Sequence, residues 1–215
     1  RRSTGAISPK HALMEARSVL CAALILASCL SQARTFPEDM RILAFGDSLT
    51  SGVGGSGTNY PEQLSMWLRV EVINAGGNGE TSEDGLRRLS PALRKWQPHL
   101  LILCLGLNDA ANGIDPEQTR RNLIEMLQIA REHQVPSLVL ALPAHASAVA
   151  DPLYASAAKA GKASIDDFSM VSVLSNPALK AGLVHANREG YKQLALSLAE
   201  RLRETWPLLE ARRHP

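Results

Sequence analysis

Short, mostly apolar runs recur along this chain at Ile42–Phe45, Val70–Ile73, Leu100–Leu105 and Leu138–Leu142, with a weaker fifth at Ala163–Ile165, and longer amphipathic stretches separate them. Runs this short suit strands buried on both faces, and helices between them supply the cover. The pattern predicts an α/β protein, a flavodoxin-like three-layer α/β/α sandwich with a five-stranded parallel sheet. Helix signals fill the gaps. Leu86, Leu89, Leu93 and Trp96 recur at three and four residues, after a Thr81 and Asp84 spaced as a capping box. Asp115-Pro116 opens a second helix with Leu123, Leu127 and Ala130 as its buried stripe, and a last helix turns Tyr191, Leu194, Ala195, Leu198 and Leu202 inward. The stretch Ala155–Lys162 reads only as rich in small residues, and there are no internal repeats.

With 215 residues the chain has room for one domain with a real core, and little for a second. A hydrophobic share of 45% and a charged share of 20% exclude disordered and collagen-like classes, and the 4% aromatic share argues against stacking surfaces for sugars or single strands. Residues 1–33 read as upstream sequence and an export signal, and 34–215 as the folded domain. From Met14 the chain runs Met-Glu-Ala-Arg, then Ser18 to Ala27 without charge, then Ser28-Cys29, the basic, apolar and small-residue layout of a secretory signal. Its apolar run falls well short of the ~20 residues of a spanning helix. Leu26-Ala27-Ser28-Cys29 resembles a bacterial lipobox, in which Cys29 would be lipidated and anchor the protein to a membrane. Ser31-Gln32-Ala33 resembles an ordinary signal-peptidase site instead. Either places the protein in a bacterial cell envelope, as a periplasmic protein or outer-membrane lipoprotein, or outside the cell. Removing residues 1–28, with Arg1, Arg2, Lys10 and Arg17 against Glu15, takes a net +3 from the formal +2 and leaves −1. That balance gives no electrostatic case for nucleic acid. Of three cysteines, Cys21 leaves with the signal, Cys29 is the lipid candidate and Cys104 lies in an apolar run, so neither a disulfide framework nor zinc spacing is present.

In a doubly covered parallel sheet, ligands bind beyond the carboxyl ends of the strands. The residues there are Gly46-Asp47-Ser48-Leu49, Asn74 to Thr81, Gly106-Leu107-Asn108-Asp109, Pro143 to His145 and Asp166-Asp167. Ser48, directly after the first strand, can serve as a nucleophile or merely cap a helix; a nucleophile needs a base and fixed donors for an oxyanion. Glycines near 79 let backbone N–H groups face a ligand, and Asn108 offers a neutral donor.

Four blocks carry a resemblance to the SGNH (GDSL) hydrolase family across nearly all of residues 34–215. Gly46-Asp47-Ser48-Leu49 matches the first block, in which the serine is the nucleophile. Asn74-Ala75-Gly76-Gly77-Asn78-Gly79-Glu80-Thr81-Ser82 matches the second, and Gly106-Leu107-Asn108-Asp109 the third. His185-Ala186-Asn187, followed by Gly190-Tyr191, matches the fifth, which supplies the base. The resemblance implies an oxyanion hole from Ser48, Gly79 and Asn108, an acyl-serine intermediate, and no metal or cofactor. Its arylesterase, thioesterase and lysophospholipase branch implies small acyl esters, thioesters or lysophospholipids as substrates.

Six histidines compete for the base. His11 and His214 lie in the ends, His99 precedes the third strand at the wrong end of the sheet, and His133 closes a helix. His185 is the first candidate, and His145, after the fourth strand, the other. The chain departs from the resemblance at one place: the family's fifth block is Asp-x-x-His, and here Gly182 stands where the aspartate belongs. A backbone carbonyl or another carboxylate must then hold the imidazole, Asp166 and Asp167 at the carboxyl end of the fifth strand being the best stand-ins, or catalysis is impaired. The second expectation is therefore a weakened binding protein on the same fold. A third comes from Gly52-Val53-Gly54-Gly55-Ser56-Gly57, which fits the G-x-G-x-x-G of a nucleotide or flavin module. That motif needs its first glycine at the strand-to-helix turn and an acid after the second strand. Neither holds, so a flexible rim loop beside Ser48 is the better expectation.

Overall fold

The computed structural model describes residues 36–37, 39–144 and 147–211, with side chains to Trp206. The apolar runs become strands β1 (Arg41–Gly46), β2 (Glu71–Gly76), β3 (Leu100–Cys104), β4 (Ser137–Leu140) and β5 (Ser164–Asp166). All pair in parallel, in the order β2-β1-β3-β4-β5. Register follows burial. Ile42 lies opposite both Val72 and Leu100, and Val139 opposite both Leu103 and Ile165. The central β3 is buried at every position, whereas edge strand β2 exposes Glu71 and Asn74. This difference is the physical origin of the unbroken apolar run in one and the broken run in the other.

Eight helices accompany the sheet among the described residues: α1 (Ser48–Ser51), α2 (Tyr60–Leu68), α3 (Ser82–Trp96), α4 (Leu107–Ala111), α5 (Pro116–Glu132), α6 (Pro152–Gly161), α7 (Ser169–Leu174) and α8 (Arg188–Ala211). α5 packs against α3 and α6, and α8 against α2 and α7, giving the outer layers of a three-layer α/β/α sandwich. The predicted capping box opens α3: Thr81 accepts from the Asp84 N–H, and the Asp84 carboxylate accepts from the Thr81 N–H. Tyr191, Leu194, Ala195, Leu198 and Leu202 of α8 are fully buried. Each leucine there contributes roughly 1.5–3 kcal/mol by leaving water.

Among the helices of nine residues or more, two were not legible in the periodicity. α2 starts where Asn59 accepts from the Glu62 N–H (2.9 Å) with Pro61 in the first turn, and it buries Tyr60, Leu64 and Leu68. The small-residue stretch at 155–162 is the other. It is most of α6, capped by Asp151, and its small residues permit close approach: a Cβ at Gly161 would collide with the Leu127 side chain of α5. Before α8 comes a short antiparallel hairpin, β6 (Lys180–Ala181) and β7 (His185–Ala186), with Ala181 opposite His185. Among the described residues no helix is long and apolar enough to cross a membrane. The export segment, with Cys21 and Cys29, lies outside the described residues.

Candidate active site

Ser48 is the first residue of α1, directly beyond β1. Asp47 caps this helix, accepting from the Leu49 N–H at 2.9 Å, so the chain turns sharply and sets the serine above the sheet. The Asp47 carboxyl is wholly buried, and burial, reinforced by the neighbouring Asp109 and Glu80, pushes its pKa up to about 7.

His185 arrives from 137 residues further along, and its Nε2 lies 2.9 Å from Ser48 Oγ. Three contacts seat the strand that carries it. Asn187 donates through its side chain to the Ala178 carbonyl (2.9 Å) and through its backbone to the Leu179 carbonyl (2.8 Å), closing the base of the hairpin. The glycine-rich loop 52–57 supplies the third. Gly54 has φ +88°, and a Cβ there would lie 2.7 Å from the Ala186 carbonyl oxygen and 3.1 Å from His185 Cβ. Tyr191 Oη donates to the Val53 carbonyl (2.8 Å) and Arg188 to the Ser56 carbonyl (3.1 Å). The expectation of a flexible rim loop is therefore corrected. Its glycines admit the histidine strand at backbone distance, a packing demand that sequence alone does not distinguish from a demand for mobility.

Asn108, at the start of α4, donates to the Glu80 carbonyl at 2.8 Å and to Asp47 Oδ2 at 3.4 Å. Glu80 is in turn gripped by Arg88 of α3, whose Nε donates to Glu80 Oε2 (2.6 Å) and whose Nη2 donates to the carbonyls of Gly46 and Ala75 (2.8 and 2.9 Å). The guanidinium also stacks over the Phe45 ring, 3.9 Å from its centroid. One side chain thus ties the ends of β1 and β2 to the loop that anchors Asn108. Sequence reading singled out neither member of the Glu80–Arg88 pair, because one lies in a loop and no periodicity links them.

Asp109, buried beside Asn108, accepts from the Ser82 N–H (2.8 Å), from Thr119 Oγ1 (3.0 Å) and from Ser82 Oγ. It holds the starts of α3 and α5 together. Asp166 is also fully committed: Oδ1 accepts from the N–H groups of Phe168 and Ser169 (3.0 and 2.7 Å) and Oδ2 from Ser169 Oγ (2.7 Å). Asp167 is exposed and makes no bond to His185. Neither stand-in for the histidine-orienting acid reaches the imidazole. Gly182 occupies the turn of the β6–β7 hairpin at φ +85°, with nothing within 4 Å of where a Cβ would be. Burial alone moves His185, lowering its pKa from the ordinary 6.5, and no carboxylate among the described residues opposes that shift. Elsewhere, His99 Nδ1 accepts from the Arg41 N–H (3.1 Å) and His133 pairs with Ser90 (3.3 Å). His11, His145 and His214 lie outside the described residues.

Ser48, Gly79, Asn108 and His185 together line a cavity of about 810 Å³. Its remaining wall is chiefly apolar, with Leu107, Ile114, Leu142, Leu153, Leu174 and Val184 contributing. Among the described residues no group of His, Cys, Asp and Glu could hold a metal ion. A hydroxyl bonded to a neutral imidazole, with an amide donor beside it and a greasy chamber in front, can attack and hold an acyl group.

Comparison with known proteins agrees. The profile of the GDSL-like lipase/acylhydrolase family matches residues 44–193. Thioesterase 1/protease 1/lysophospholipase L1 of Escherichia coli strain K12 is 30% identical over 171 residues, covering 75% of this chain and 82% of that protein. Esterase TesA of Pseudomonas aeruginosa is 33% identical over 128 residues, covering 57% and 61%. Among solved structures, that of AlinE4, an SGNH-hydrolase family esterase, superposes with a TM-score of 0.61 at 29% identity, covering 80% of this chain and all of the other. The chain belongs to the GDSL-like lipase/acylhydrolase family. It is a carboxylic ester hydrolase that works through a serine nucleophile and an oxyanion hole. The alternative of a weakened binding protein gives way to the assembled Ser48–His185 pair.

Proposed function

We infer that Ser48 is the nucleophile and His185 its general base, that Gly79 and Asn108 complete the oxyanion hole with the Ser48 backbone, and that the substrates are acyl esters or thioesters whose acyl chain lies in the apolar cavity. The observation that carries this reading is the 2.9 Å bond from Ser48 Oγ to His185 Nε2 at the wall of that 810 Å³ chamber. His185 takes the Ser48 proton as Oγ attacks the carbonyl carbon, and the acyl-serine forms when the alcohol or thiol departs. Water, activated by the same imidazole, then releases the acid. Asn108 keeps one amide hydrogen on the Glu80 carbonyl, and its longer contact to Asp47 is the one that yields to an oxyanion. The chamber falls within the size range of small-molecule sites, and its apolar wall suits a hydrocarbon chain rather than a sugar. The thioesterase and lysophospholipase named among the relatives support thioesters and lysophospholipids as the first classes to assay.

Ser48→Ala should abolish both ester hydrolysis and covalent labelling by a fluorophosphonate while the fold stays intact. Equal turnover in that variant overturns the assignment. A series of p-nitrophenyl esters of increasing acyl length then measures how much chain the cavity accepts. Export to the cell envelope, with lipidation at Cys29, belongs to the same reading and is supported by the layout of residues 14–29. Membrane partition lost in Cys29→Ser supports the anchor, and soluble protein beginning at Arg34 supports ordinary cleavage.

A further inference from the structure

We propose that this enzyme turns over on a Ser48–His185 dyad with no carboxylate behind the imidazole, and that it is selective for esters with acidic leaving groups, thioesters and aryl esters, over alkyl esters. The inference rests on the assignment of Ser48 and His185 made above. Position and charge are supplied separately at this histidine. Its position is fixed by backbone: the pairing of Ala181 with His185, the Asn187 bonds at the foot of the hairpin, and Gly54 beneath its Cβ. Its charge has no counterpart. Asp166 caps α7, Asp109 joins α3 to α5, Asp47 caps α1, and no described carboxylate contacts the ring. The turn that precedes the histidine holds Gly182, Leu183 and Val184, none of which has a side chain that can stabilise an imidazolium.

The consequence depends on where the imidazolium is needed. During acylation the Ser48 Oγ–C bond forms, the serine proton moves to Nε2, and the bond to the leaving group breaks with its electron pair. An alkoxide, whose conjugate acid has a pKa near the ~15.7 of water, must receive the Nε2 proton as it leaves. That departure starts from a tetrahedral intermediate whose imidazolium is fully formed, so more of the cost of the missing carboxylate is felt. A thiolate (~8.5) or aryloxide (~10) departs as the anion, and the proton on Nε2 passes to solvent afterwards. Attack is then limiting, with the imidazolium only partly formed, so less of that cost is felt. Deacylation is common to all esters of one acid, so the selectivity resides in kcat/KM.

The test measures log kcat/KM against leaving-group pKa for p-nitrophenyl, phenyl, thioethyl and ethyl esters of one acid, in wild type, Gly182→Asp and Gly182→Asn. Asparagine tolerates positive φ about as well as aspartate but brings no charge, so it controls for the backbone. Gly182→Asp should raise the ethyl ester at least about tenfold more than the p-nitrophenyl ester, within the ~10⁴ that a triad carboxylate supplies elsewhere. Gly182→Asn should keep the steep wild-type slope. Parallel lines for wild type and a folded Gly182→Asp, or equal flattening by Asn, overturn the proposal. The wild-type enzyme gives an answer that needs no variant: proton NMR should show no strongly deshielded imidazole N–H, and a far-downfield His185 Nδ1–H signal means a carboxylate partner and overturns the dyad. Fluorophosphonate labelling lost in Ser48→Ala separates these outcomes from failure of the underlying assignment, since a flat slope with labelling intact sinks the selectivity alone.

Discussion

Asn108 is held in place by a single strong bond to the Glu80 carbonyl, and Glu80 itself by the Arg88 clamp on its carboxylate. Asn108→Ala should lower kcat by roughly 10² to 10³, about 3 to 4 kcal/mol of transition-state stabilisation. A change confined to KM in steady-state assays would make Asn108 a ground-state contact instead. At His185 the direction of the pKa shift gives a second expectation. Burial favours the neutral ring, so the base form persists to lower pH, and the acid limb of kcat/KM should fall below 6.5. A midpoint above that value would require an anion beside the ring.

The hairpin and the glycine loop act together, and Gly54 is where they meet. Gly54→Ala must push a methyl group against the Ala186 carbonyl and the His185 side chain from a backbone already at φ +88°. The variant should remain folded yet lose at least about tenfold in kcat through misplaced reacting groups, as shifts of an ångström do elsewhere. Retention of full activity would show that the loop is slack. The five strands were legible because each is a short apolar run, α3 and α5 because a 3.6-residue period and their caps announce them, and α8 by its period alone. α6 was not, since alanines and glycines chosen to fit Leu127 look featureless in one dimension. The site divides in the same way. Ser48, Asn108 and His185 stand in recognisable local patterns, whereas Arg88, the close packing of Gly54 and the commitment of Asp166 to capping α7 depend on which strands and helices become neighbours.

The whole fold should carry a pH signature from the buried Asp47. Its pKa in the folded state is raised from 3.8 to about 7, so this group costs no stability below pH ~4, where both states are protonated. The cost grows as pH rises between 4 and 7 and is complete above about 7, reaching on the order of 4 kcal/mol. Asp47→Asn should therefore gain stability relative to wild type between pH 4 and pH 8, measured by urea unfolding of both proteins. A pH-independent difference would mean that Asp47 ionises normally. The separation of 137 residues between Ser48 and His185 has a consequence in time. A ribosome adds roughly 5–20 residues per second, so Ser48 is synthesised on the order of ten seconds before His185. On the proposed assignment, a nascent chain that ends before His185 should carry Ser48 without ester hydrolysis, and activity should require the carboxyl-terminal hairpin that brings the imidazole to it.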